Sequence, residues 1–137
     1  MKIFFYGLFM DQDLLATKGI EPADVGVGFV DGYALRIGRR ATLIRQADSR
    51  AYGAVMDITP DEARHLYSDQ SVADYVPEPV TVTLAEGGTV EAACYNLPPA
   101  KIAGTNAGYA GSLLEVARKL GFPATYLDQI RRARDGR

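Results

Sequence analysis

Apolar and polar positions alternate in short runs through most of the chain, and two helical stretches close it. Ile3 to Tyr6 is a continuous apolar, aromatic run of the kind that forms a buried strand. Gly7 breaks it, and Asp11 is placed to cap a helical segment from Asp11 to Lys18. After the turn-rich Gly19 to Asp24, Val25, Val27 and Phe29 alternate; Asp31-Gly32 interrupts them, and Tyr33, Leu35 and Ile37 resume. This predicts either one long strand bent at a bulge or a hairpin on the Asp-Gly turn. Thr42 to Ile44 reads as another strand, Gln46 to Arg50 as a polar turn, and Tyr52, Ala54, Met56 and Ile58 as a strand of period two.

Thr59-Pro60-Asp61-Glu62 is the strongest local signal. Thr59 suits the N-cap, Pro60 the first helical position, and Glu62 completes a capping box. The helix is short, with Ala63, Leu66 and Tyr67 facing inward, and stops near Gln70. Ser71 to Pro79 reads as irregular. Val80, Val82 and Leu84 then alternate, Glu86-Gly87-Gly88 turns, and Val90 to Tyr95 returns as a hairpin partner. Asn96 to Gly108 reads as a loop. Tyr109 to Leu120 is an amphipathic helix with Leu113, Leu114, Ala117 and Leu120 near one face, closed by Gly121. Pro123 opens a last helix carrying Tyr126, Leu127 and Ile130. Strands first and helices last imply an α+β domain on a curled sheet or small barrel.

The length, 137 residues, fits one domain over residues 1–137 with a substantial core. Hydrophobic residues at 47% and charged residues at 23% are ordinary for a soluble protein. A net charge of -2 argues against a nucleic-acid partner. One cysteine, Cys94, excludes an intrachain disulfide framework and a thiolate zinc cluster. There is no signal-peptide pattern and no apolar run of membrane-spanning length, so the expectation is a cytoplasmic protein with no membrane partner.

Candidate chemistry begins at the Gly7 turn. A strand that turns sharply at glycine into a helix start directs several backbone N–H groups outward together, and such a cluster suits a phosphate or carboxylate. The plain alternative is a first strand and its turn.

Four motifs, in order, resemble the γ-glutamylcyclotransferase-like family, which includes γ-glutamylamine cyclotransferases and avirulence-induced-gene-like proteins. Tyr6-Gly7-Leu8-Phe9-Met10 is similar to its opening Tyr-Gly signature, and Gly32-Tyr33-Ala34-Leu35 to its Gly-Tyr-x-Leu strand. Tyr52-Gly53 through Ile58-Thr59-Pro60 matches its strand-to-helix step. Tyr109, Gly121-Phe122-Pro123 and Tyr126 match its C-terminal tyrosines and Gly-Leu-Pro. The resemblance spans nearly the whole chain and implies the family's small mixed β-barrel with flanking helices. It also implies a site in which Tyr6, Gly7, Leu8, Phe9 and Met10 hold a γ-glutamyl group while a glutamate beyond the short helix acts as general base. Such a base takes the proton of the substrate's α-ammonium so that the amine closes the 5-oxoproline ring. No cofactor and no metal are implied.

The chain departs from that pattern at the base, whose matching position is Gln70. An amide has no basic site at neutral pH. Losing general-base assistance typically forfeits about a hundred- to ten-thousand-fold in rate. Asp69 and Asp74 are the neighbouring acids that can replace it, or are solvated loop residues. Leu8 and Phe9 make the cradle more apolar than in catalytic members. Tyr75 and Tyr109 fall near the family's pocket tyrosines, with a core role as the alternative.

His65 has no metal or triad spacing, and Cys94 reads as a buried inert thiol. Arg131, Arg132, Arg134 and Arg137 complement a helix C-terminus, Arg39-Arg40 reads as a turn pair, and Gly26 and Gly28 form no phosphate loop. Two readings follow. One is an enzyme releasing 5-oxoproline from a γ-glutamyl amide or amine. The other is a non-catalytic relative that binds a small carboxylate or amine ligand in the same pocket. Either acts as a monomer or homodimer on a small-molecule partner.

Overall fold

Lys2–Phe5 (β1) is the strand on which the sheet closes. It pairs antiparallel with Ala41–Asp57 (β3) and parallel with Thr89–Asn96 (β5), where Ile3 meets Ala93. Ala23–Ile37 (β2) pairs with β3, and Val76–Leu84 (β4) joins β2 to β5. The order β1-β3-β2-β4-β5 is a closed, mixed barrel with helices against it. The structure, a computed structural model, describes residues 1–136.

The unbroken apolar run of β1 has a physical cause: both of its faces are buried. Phe4 and Tyr6 point into the barrel with Val30, Leu43, Val55 and Val82. Ile3 and Phe5 point the other way and meet Met56 and the helices. Those helices are Ala107–Lys119 (α3) and Ala124–Asp135 (α4). They bury Leu113, Leu114, Ala117, Tyr126 and Ile130 against the sheet. Two buried polar side chains fasten the end of β5 to β3: Thr42 Oγ1 accepts from the Leu97 N–H at 2.8 Å, and Asn96 Oδ1 accepts from the Leu43 N–H at 3.2 Å.

Of the two readings at Asp31-Gly32, the long bent strand is the one formed. β2 continues through a register shift between Asp31 and Tyr33, with Gly32 at φ 82. The sequence reading of Gln46 to Arg50 as a turn between two strands is corrected. β3 runs on through it, and residues 46–49 bulge opposite Gly32 between the pairs Tyr33–Arg45 and Asp31–Arg50. Asp48 takes the left-handed conformation there, at φ 65, which aspartate tolerates better than most residues.

Gln12–Thr17 (α1) is capped by Asp11, whose Oδ1 accepts from the Asp13 N–H. Pro60–Leu66 (α2) carries both halves of its capping box: Glu62 N–H to Thr59 Oγ1 at 3.0 Å, and Thr59 N–H to Glu62 Oε1 at 2.9 Å. It ends at Leu66, before Gln70. The span read as irregular is also shorter than expected, because β4 starts at Val76 and contains Pro77 and Pro79. Proline is tolerated because this half of β4 pairs only with β5; β2 joins it at Thr83 and Leu84. α3 begins before Tyr109, with Asn106 Oδ1 accepting from the Tyr109 N–H at 2.9 Å. In α4, Arg131 pairs with Asp128 and Arg134 with Asp135; Arg137 lies outside the described residues. Among the described residues no helix is long and apolar enough to cross a membrane.

Candidate binding cavity at the Gly7 turn

Where β1 ends, the chain makes a 3₁₀ turn over Leu8–Met10 before Asp11 starts α1. Beside this turn is a cavity of about 350 Å³. Phe4, Phe5, Leu8, Phe9, Leu66 and Val72 give it apolar walls, and Tyr6, Tyr67, Tyr75 and Tyr109 line it as well. Lys18, Arg40, Asp69 and Ser71 complete the polar part of the lining.

The tyrosines are fixed by their hydroxyls or their rings. Tyr6 Oη donates to the Tyr95 carbonyl at 2.6 Å, and Tyr75 Oη donates to the Ala41 carbonyl. Tyr109 Oη accepts the Leu8 N–H at 3.1 Å. Tyr67 stacks on Tyr95 with centroids 3.9 Å apart and meets the Phe9 edge at 6.0 Å. Burial pushes the hydroxyls of Tyr6, Tyr67, Tyr75 and Tyr109 above the usual phenol range. All four are neutral at physiological pH; Tyr6 and Tyr75 spend their one O–H proton on backbone carbonyls, which leaves the Tyr67 and Tyr109 hydroxyl protons for a ligand.

Gly7 is required here for space. Its φ of -108 is accessible to any residue, but a Cβ at this position would strike the Tyr109 hydroxyl. The same hydroxyl takes one of the backbone donors that a bare cradle would offer to an anion.

Tyr6, Gly7, Leu8, Phe9, Tyr75, Tyr109 and Asp69 all line the cavity; Met10, Gln70 and Asp74 do not. Met10 is buried in the core beneath the turn, and its N–H closes the turn onto the Gly7 carbonyl at 3.0 Å. Gln70 is exposed. It was assigned by counting four residues on from Leu66, where α2 does end; two turns follow, closed by Val72 N–H to Asp69 O and Tyr75 N–H to Val72 O. The turn that displaces Gln70 puts Asp69 on the cavity wall instead.

Neither aspartate is a relaxed base. Asp69 Oδ1 accepts from the Ser71 N–H at 2.9 Å and from the Ser71 hydroxyl at 2.8 Å, and these bonds hold its pKa below the usual carboxylate value. Asp74 is clasped by Arg40 through Nη1–Oδ1 at 2.5 Å and Nη2–Oδ2 at 3.0 Å, and that hydrogen bonding depresses it likewise. Arg40 also donates to the Ser71 carbonyl at 3.0 Å and lies 5.7 Å from the centre of the Tyr75 ring. The sequence reading of Arg39-Arg40 as a mere turn pair therefore missed a pocket residue. Nothing local marks Arg40, because Asp74 comes from a distant stretch of chain. Lys18 lines the cavity too and was also missed; among the described residues it has no carboxylate at ion-pair distance, although its charge reaches Asp69.

His65 is exposed and Cys94 is buried inside the barrel, where desolvation raises its thiol pKa. Among the described residues no group of three His, Cys, Asp or Glu side chains is placed to hold a metal ion.

The family described as "Gamma-glutamyl cyclotransferase, AIG2-like" matches residues 3–113, a span that holds the Gly7 turn, the segment after α2 and Tyr109. No curated protein matches the chain. Among solved structures, a γ-glutamyl cyclotransferase superposes with a TM-score of 0.76 at 15% identity, covering 95% of this chain and 85% of its own. An uncharacterized protein from Homo sapiens gives 0.76 at 16% identity with the same coverage. YkqA from Bacillus subtilis gives 0.78 at 19% identity; the match takes in 98% of this chain and 54% of YkqA, so the present chain spans about half of that protein. At these identities the superpositions show the fold.

Proposed function

The chain belongs to the γ-glutamyl cyclotransferase, AIG2-like family, and we propose that it uses the family's cavity to bind a small carboxylate without closing a 5-oxoproline ring. One observation carries this reading. Among the described residues Asp69 is the one carboxylate on the cavity wall, and Ser71 engages it with two hydrogen bonds that hold its pKa low.

Ring closure needs an acceptor for the proton of a substrate ammonium. The best acceptor is a carboxylate whose affinity for protons has been raised by burial. Asp69 is exposed and shifted in the opposite direction. Asp74 is neutralised by Arg40, and Gln70 is an amide outside the cavity. The remaining features favour binding. The walls suit an apolar body, and Tyr67 and Tyr109 supply neutral hydrogen-bonding groups. Lys18 supplies a positive charge that, among the described residues, has no carboxylate at ion-pair distance, with Asp69 the acid within its electrostatic reach.

Thermal-shift titration with carboxylates of increasing apolar bulk tests this reading. Saturation at about 100 times Kd corresponds to roughly 2.7 kcal/mol of stabilisation. Silence across the series, or release of 5-oxoproline by the native chain, overturns it. The second reading, a cyclotransferase that uses Asp69, is favoured by the place of Asp69 on the cavity wall. It requires turnover of γ-glutamyl amines that Asp69→Asn abolishes.

A further inference from the structure

Next to the main cavity is a second hollow of about 350 Å³, lined by Arg39, Arg40, Ser71, Lys101 and Ala103. The two hollows share Arg40 and Ser71, which are bonded to each other at 3.0 Å and form the rim between them, so the hollows are immediate neighbours.

Two chain segments build this annex, and their backbones hold them together. The β2–β3 turn supplies Arg39 and the segment after β5 supplies Lys101. Arg39 N–H donates to the Ala103 carbonyl at 2.8 Å, and Asn106 Nδ2 donates to the Arg39 carbonyl at 3.1 Å. At Gly38 a Cβ would meet the Ala103 carbonyl, so the approach demands glycine. The Arg39 stem then lies against Gly104. The two segments that carry Arg39 and Lys101 are therefore held side by side by the fold.

The charges are out of balance. Arg39, Arg40 and Lys101 line the hollow and, among the described residues, no carboxylate does; the acid within electrostatic reach of Lys101 is Asp74, which Arg40 already holds with both of its terminal nitrogens. Among the described residues neither Arg39 nor Lys101 has a carboxylate within ion-pair distance. Cations held together without a counterion repel one another, and an anion placed between them relieves the repulsion.

We infer that Arg39 and Lys101 form a subsite for a second anionic group, a carboxylate or a phosphate, on a ligand that extends from the main cavity past Arg40. The preferred ligand is thus an elongated molecule with acidic groups at both ends. This rests on the proposal that the main cavity binds a carboxylate.

The test is calorimetric titration of the native chain and of the double variant Arg39→Ala, Lys101→Ala with octanoate, octanedioate and 7-phosphonoheptanoate. The native chain should bind the two dianions about tenfold more tightly than octanoate. The double variant should lose that preference, keep its octanoate affinity and keep its melting temperature. A higher affinity for the phosphonate identifies a phosphate-type end group; a higher affinity for octanedioate identifies a carboxylate. Octanoate binding with no gain for either dianion overturns the subsite and leaves the main-cavity reading standing. No binding by any of the three overturns that reading, and the subsite with it.

Discussion

The Tyr109 hydroxyl occupies the space over Gly7 and takes the Leu8 N–H, so α3 and the first turn of the chain are locked at one point. Gly7→Ala forces the phenol aside and should cost about 1–3 kcal/mol, the range typical of overpacking. Tyr109→Phe removes one hydrogen bond and should cost about 1 kcal/mol. Because Phe clears the oxygen from the position a Cβ needs, the double variant should lose less than the sum. Urea denaturation of the four proteins measures this coupling, and strictly additive losses would show that the two residues do not compete for one space.

Position 70 is exposed and lies off the cavity wall. Restoring the family's acid with Gln70→Glu should therefore leave 5-oxoproline production from γ-glutamyl amines at background, as in the native chain. The readout is chromatographic quantitation of 5-oxoproline after long incubation. Turnover in the variant alone would mean that the segment after α2 rotates to bring residue 70 inward.

The Arg40–Asp74 pair gives stability a dependence on acidity. Arg40 holds the Asp74 pKa below its value in an unfolded chain, which is about 3.9. A depressed carboxylate contributes fully above the unfolded value, and the contribution disappears as pH falls through the folded one. Asp74→Asn should therefore lower the melting temperature at pH 7, and the gap to the native chain should close below about pH 4. Melting curves from pH 7 to pH 2.5 decide it; a gap that widens on acidification would contradict the assignment.

Tyr126 is buried in α4, and among the described residues its hydroxyl makes no hydrogen bond of normal geometry; the Tyr52 backbone is the polar group that approaches it. An unsatisfied buried polar group typically costs about 1–3 kcal/mol. The ring itself packs on Tyr52 at 4.9 Å and on Phe122 at 5.9 Å. Tyr126→Phe should accordingly be neutral or stabilising, and Tyr126→Ala should cost about 3–5 kcal/mol. A loss above about 1 kcal/mol for the phenylalanine variant in denaturant titration would mean that the hydroxyl finds a partner in solution.

How much of this was legible in the sequence depends on the range of the interaction concerned. The Thr59–Glu62 capping box was readable because both partners lie within one helical turn. β1 was readable because burial of both faces leaves a continuous apolar run. The motif order carried the family and, with it, the barrel. Counting four residues on from Leu66 leads to Gln70, but a count along the chain does not say which way the turns after the helix aim each side chain. The long β3 was missed because its bulge at residues 46–49 is as polar as a turn. Arg40 and Asp74 are separated by 34 positions, and Leu8 and Tyr109 by 101. No local pattern encodes either meeting; only the closed barrel brings them together.

The parallel pairing of Ile3 with Ala93 makes the first strand wait for the fifth. On the ribosome, the greasy opening segment emerges well before the strand that will cover its second edge, and the ring cannot shut until β5 is out. Such long-range closure is intrinsically slow, because chain entropy must be surrendered before the contact gives anything back. During that interval Phe4 and Phe5 stay uncovered, so holding chaperones should engage nascent chains truncated before residue 89 and release those that extend past residue 96.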